Sequence, residues 1–120
     1  HVDDHCKALI KIFKKGKIGE SYNIGSGDIV SNNIVSKRLI KLFKTKINKD
    51  CKSKIVFVKD RPGHDLRYAL NSNKIKKLGW KKKLNLNKGL LLTIKWYLEN
   101  TQWIKKINKK KYSNRLGLKL

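Results

Sequence analysis

The chain has 120 residues, of which 31 are Lys or Arg and eight are Asp or Glu, giving a formal net charge of +23. That length suits one domain, and no apolar run approaches the ~20 residues that a membrane-spanning helix needs. The two cysteines, Cys6 and Cys51, lack any CxxC or Cys/His ligand spacing, which argues against a zinc module or other metal site and fits free thiols in a reducing cytoplasm.

The chain opens His1-Val2-Asp3-Asp4 with no methionine anywhere, and so reads as the end of something longer. His1-Val2 reads as the tail of a strand. Asp3 or Asp4 then caps a helix reaching about Lys14, with Ala8, Leu9, Ile12 and Phe13 on one face, and Gly16 stops it. His5, in the first turn, reads as a surface or capping residue. Residues 19–25, GESYNIG, read as turn, strand, turn, with Tyr22 and Ile24 on one side and Asn23 on the other. The loop over 26–31 feeds a helix over about 33–45, capped by Ser31 or Asn32. A polar connector over 46–54 precedes a strand at 55–58, and a short extended run follows at 68–71. Ser72 starts a brief helix over 73–78, and Trp80 reads as an apolar lid on its end. The longest amphipathic segment runs over about 87–107, and its aromatics, Trp96, Tyr97 and Trp103, are expected in the core. The tail from Asn108 reads as frayed, so the chain divides into a lobe over 1–107 and a basic tail over 108–120.

The corner at 59–67, KDRPGHDLR, carries the functional reading. Pro62, the single proline, fixes its own φ and biases Arg61 toward extended backbone, while Gly63 permits a tight reversal. Arg61 and His64 then emerge from a stiff turn with Asp60 beside them. A planar guanidinium three residues from an imidazole can hold a diphosphate, because it binds phosphate oxygens bidentately. The same charges would also suit a plain solvated turn. A second candidate is Asn32, since a loop feeding a helix start offers N–H groups to an anion, although it can equally be only the cap.

The basic charge admits a different class, a small nucleic-acid-binding protein. Only Arg38, Arg61, Arg67 and Arg115 among the 31 basic residues are arginine, and the lysines come with abundant Ile and Asn. That pattern fits compositional drift better than a selected binding surface, with incidental nucleic-acid binding at low salt.

With these residues in place, VDDH, ESYNIGSG, DRPGHD followed by RYALN, KLGW and IKWYLENTQW together resemble the C-terminal third of the dTDP-glucose 4,6-dehydratases. These are extended short-chain dehydrogenase/reductase enzymes. The resemblance implies an α/β fold class in which this chain is the C-terminal substrate-binding lobe, mostly helices with a few short strands, without the Rossmann domain. It implies that Arg61 and His64 contact the diphosphate and ribose of dTDP-glucose, held by the turn of Asp60, Pro62 and Gly63. Asn32 falls where the family places a polar nucleotide contact, with Asn33 as the alternative because the loop SGDIVSNN departs from the family pattern. NAD would be bound by the missing N-terminal Rossmann portion, which would also hold the catalytic residues and the homodimer contacts. The chain alone would then bind no cofactor and be inactive, cytoplasmic, marginally stable and prone to associate.

Overall fold

The computed structural model describes residues 1–60 and 62–107, and their regular structure is helical. α1 spans Val2–Lys15, α2 Asn32–Lys46, α3 Asn73–Lys77, α4 Leu86–Glu99 and α5 Thr101–Lys106. The basic tail expected over 108–120 lies outside the described residues.

Local chemistry accounts for most helix ends. In α2 the Ser31 hydroxyl accepts from the Ile34 N–H at 3.4 Å, and in α4 the Asn85 side chain accepts from the Lys88 N–H at 2.9 Å. α1 carries Asp3 and Asp4 in its first turn and Lys14 and Lys15 in its last, matching the helix dipole. Its cap, however, is His1, whose Nδ1 accepts from the Asp3 N–H at 3.3 Å. Helix therefore replaces the strand expected at His1-Val2, and neither aspartate is the cap.

The helix expected over 87–107 is two helices. Asn100 ends α4 by donating both its backbone N–H and its side-chain amide to the Trp96 carbonyl, at 2.9 and 2.8 Å. An Asn side chain competes in this way with the helical ladder. Because α5 restarts at once, the apolar periodicity runs on across the break and hides it.

Burial centres on one junction. Ala8 and Ile75 are fully buried and Trp80 is 6% exposed, with Ile12, Tyr22 and Ile24 packed against them. Trp80 is more than a lid, since its indole Nε1 donates to the backbone carbonyl of Asp4 at 3.0 Å. The buried carboxylate of the same Asp4 accepts from the N–H groups of Lys83 and Leu84 at 3.0 and 2.9 Å. The first turn of α1 thus clasps residues 80–84 from the far end of the sequence. Those two backbone bonds, that of Leu84 foremost, hold the Asp4 carboxyl below the usual carboxylate range.

The GESYNIG run docks on the start of α3 through side chains. Ser72 Oγ accepts from the Gly25 N–H at 2.8 Å and donates to the Gly25 carbonyl at 3.1 Å. Lys74 pairs with Glu20, donates to the Ser21 carbonyl at 2.9 Å and lies 4.8 Å above the Tyr22 ring. The approach is close at Gly25, where a Cβ would come within 3.2 Å of both Leu70 Cβ and Ser72 Oγ.

The strands expected at 22–24 and 55–58 are not formed: among the described residues neither segment is part of a β-ladder. Alternation of side chains marks an extended backbone and does not supply the neighbour that a ladder requires. Val56, Phe57 and Val58 stay largely exposed, as do Val2, Leu9, Ile10 and Phe13 along α1. The aromatics expected in the core are also corrected. α4 packs on α2, where Ile94 lines a shallow cleft together with Leu39, Ile40 and Phe43. Trp96, Tyr97 and Trp103 instead remain 44–48% exposed and pack on one another, Trp96 and Trp103 edge-on with centroids 5.2 Å apart. Among the described residues no helix is long and apolar enough to cross a membrane.

Two predictions follow from these contacts. A carboxyl held low in the folded state stabilises above its unfolded pKa of ~3.9 and loses that contribution as pH falls through the lower folded value. With Trp96 and Trp103 replaced by Phe, Trp80 emission is expected to stay blue-shifted above about pH 5 and to move red below about pH 4. Asp4→Asn keeps an acceptor oxygen, removes the charge, and should flatten that part of the titration. Separately, Gly25→Ala should force the Gly25, Leu70 and Ser72 crossing apart at a cost of about 1–3 kcal/mol, seen as faster amide hydrogen exchange at Gly25.

Candidate functional site

The site is built from the corner at 59–67 upward. Pro62 and Gly63 make the expected turn, with Gly63 at φ 67°, a conformation open to glycine without steric cost. Asp60, Pro62 and Gly63 are exposed. Arg61 lies outside the described residues. His64 is half-buried, and its ring lies 6.5 Å from the ring of Tyr68, the planes inclined by 60°.

Tyr68 leads from the turn to a cleft. Tyr68, Ala69 and Leu70 form one wall, residues 25–29 form the other, and the space between is about 170 Å³. The Ser72 bracket on Gly25 sets the spacing of these walls, because Ser72 follows Leu70 by two residues. The structure therefore sets the run just after the DRPGHD corner, residues 68–70, against the loop that begins at Gly25 of YNIG. Asn32 is not on the lining of that cleft. It is the first residue of α2 and is exposed, as is Asn33, while the capping bond belongs to Ser31. Capping thus leaves the Asn32 side chain available, at the end of the loop that walls the cleft.

The loop has a second side. Residues 27–30 face Arg38 and residues 85–87 across an open cleft of about 400 Å³, so Gly27, Asp28 and Ile29 stand between two clefts. Asp28 is fixed there by Lys82, whose Nζ donates to Oδ2 at 2.5 Å. That bond, more than any other contact, holds the Asp28 carboxyl below the usual carboxylate range.

Ligand pockets for small molecules begin at about 300 Å³. The cleft between the loop and residues 68–70 falls short of that, so it can hold only part of a nucleotide sugar. A dinucleotide cofactor needs a glycine-rich loop joining a strand to a helix, with free backbone approach to the pyrophosphate. The glycine-bearing loop here follows a run that is in no ladder among the described residues, and it holds an aspartate at its centre. These residues do not fit NAD, and no redox step follows from them. Among the described residues no group of three His, Cys, Asp or Glu is placed to hold a metal ion, and Cys6 and Cys51 are free thiols.

Tyr68, Ser72 and the Asp28–Lys82 pair were not legible as site elements in the sequence. Tyr68 stands in the extended run just after DRPGHD, a local signal for a site-lining aromatic. The other contacts span 47 and 54 residues and have no local signal.

A family model described as GDP-mannose 4,6 dehydratase matches residues 1–93. The chain is similar to a probable dTDP-glucose 4,6-dehydratase of Sinorhizobium fredii strain NGR234, 41% identical over 98% of this chain and 35% of that protein. A dTDP-glucose 4,6-dehydratase of Escherichia coli is 37% identical over 95% of this chain and 32% of its own length. Among solved structures, the dTDP-glucose 4,6-dehydratase of Bacillus anthracis strain Ames in complex with NAD matches with a TM-score of 0.73 and 38% identity, over 86% of this chain and 31% of that one. The chain spans about a third of the length of these relatives. On the match of residues 1–93, the chain belongs to the GDP-mannose 4,6 dehydratase family.

Proposed function

We propose that this chain is the C-terminal substrate-binding portion of a dTDP-glucose 4,6-dehydratase and supplies the nucleotide end of its site. The observation that carries the proposal is the small cleft between the YNIG loop and residues 68–70, the run that directly follows the DRPGHD corner, in a chain about a third as long as its relatives. Arg61 and His64 hold the diphosphate and ribose of dTDP-glucose, on a turn shaped by Asp60, Pro62 and Gly63. Asn32 gives a polar contact from the loop's end. A guanidinium suits the diphosphate because it is always charged and matches phosphate oxygens bidentately.

Residues 1–107 form the binding lobe and 108–120 a tail with no part in the site. The elimination of water, a lyase reaction on dTDP-glucose, belongs to the complete enzyme. The acid/base residues, the NAD site and the homodimer contacts come from a Rossmann portion outside this sequence, and the chain alone has no dehydratase activity. The exposed apolar residues of α1 and of 55–58 support this reading, since an isolated domain rarely leaves so much apolar surface in water. Free thiols at Cys6 and Cys51 suit a cytoplasmic setting.

Calorimetric titration with dTDP tests the proposal. A hydrogen bond to a charged group contributes about 1.5–3 kcal/mol, so Arg61→Ala should weaken dTDP binding by at least about tenfold. Binding of duplex DNA should be weak, fall steeply with salt, and hardly change in the variant. Unchanged dTDP affinity in Arg61→Ala would remove the site assignment. Turnover of dTDP-glucose by the isolated chain would contradict its dependence on a further portion.

A further inference from the structure

We infer that Lys82 is a positioning residue for the nucleotide site, acting as a latch that holds the loop over 26–31 in place through Asp28. The inference rests on the reading of that loop as part of the dTDP site. It begins with how the loop is suspended. One end is fixed where Ser72 brackets Gly25, and the other where Ser31 caps α2. Between them, Gly27 takes a left-handed φ of 79°, and Asp28 donates its N–H to the Ser26 hydroxyl at 3.1 Å. That bond is internal to the loop and does not tie it to the body of the fold.

Lys82 makes the tie at mid-span. Its Nζ reaches Asp28 Oδ2 at 2.5 Å across 54 residues. Its own backbone stands on the firmest part of the molecule, between the buried Trp80 and the amides of Lys83 and Leu84, which are held by Asp4. The latch therefore runs from an anchored base to a loop held only at its ends. Since residues 27–29 separate the two clefts, the position of Asp28 sets the width of the cleft facing Tyr68.

The pair has an electrostatic consequence as well. Asp28 lines the cleft, and a bare carboxylate there would repel a diphosphate within one Debye length of about 8–10 Å. Lys82 neutralises it. Both side chains are about one-third exposed, so the ion pair is screened and its effect is modest.

The test uses the 120-residue chain with dTDP as the probe, read by titration and by amide hydrogen exchange. Lys82→Met should raise exchange of Gly27, Asp28 and Ile29 by up to about fivefold and raise the dTDP dissociation constant by a similar factor. Lys82→Arg, which keeps the cation, should restore both. Asp28→Asn combined with Lys82→Met should bind more tightly than Lys82→Met alone, because the bare carboxylate is gone, while loop exchange stays fast. If exchange in Lys82→Met equals that of the unaltered chain, the latch does not exist. If exchange rises and dTDP affinity is unchanged, the loop is held but does not position the site, which also overturns the inference. If the unaltered chain binds no dTDP, the assignment of the site fails, and with it the positioning role, while the exchange data still report whether the latch is real.

Discussion

The clasp between Asp4 and residues 80–84 is the constraint on which the rest of this structure depends. One residue in the first turn of α1 uses its carbonyl to receive the Trp80 indole and its carboxylate to receive two backbone amides. Trp80 then closes over Ala8 and Ile75, which are fully buried. A Trp at such a junction combines a large apolar area with a donor that needs a partner, so packing and hydrogen bonding select the same geometry. Without the clasp α1 would have little to hold it, since much of its apolar surface faces outward.

The site hangs from this junction by short steps. α3 brings Ile75 into the junction and Ser72 against Gly25, which fixes the YNIG loop beside residues 68–70. Lys82, two residues past Trp80, reaches the other side of the same loop. The cleft so formed is small, and exposed apolar residues line α1 and the segment at 55–58.

How much of this could be read in the sequence depends on range. α1, α2 and α3 were legible because apolar spacing, Gly16 and the Ser31 cap act within a few residues, although the Ser72 hydroxyl ahead of α3 bonds Gly25 instead of capping. The strands were misread because the apolar run at 55–58 and the alternation at 22–24 are strand signals, while among the described residues neither segment has a strand to pair with. Asn100 breaks a helix without breaking its periodicity, so the pattern concealed it. The capping role expected of Asp3 or Asp4 fell to His1, because Asp4 meets amides 79 and 80 residues away. For the site, the turn at Pro62 and Gly63 was legible, since its cause is local. The cleft was not, because its two walls meet through Ser72 across 47 residues.

The central claim is that the DRPGHD corner and the YNIG loop act together as one half of a dTDP site. Mapping dTDP onto the chain by amide chemical-shift changes at physiological salt tests it most directly. The account predicts changes confined to residues 25–32 and 60–70, saturating with a single affinity. Changes scattered over the lysines of α2, α4 and α5, fading as salt is raised, would show only general attraction of an anion to a chain of charge +23 and would contradict it.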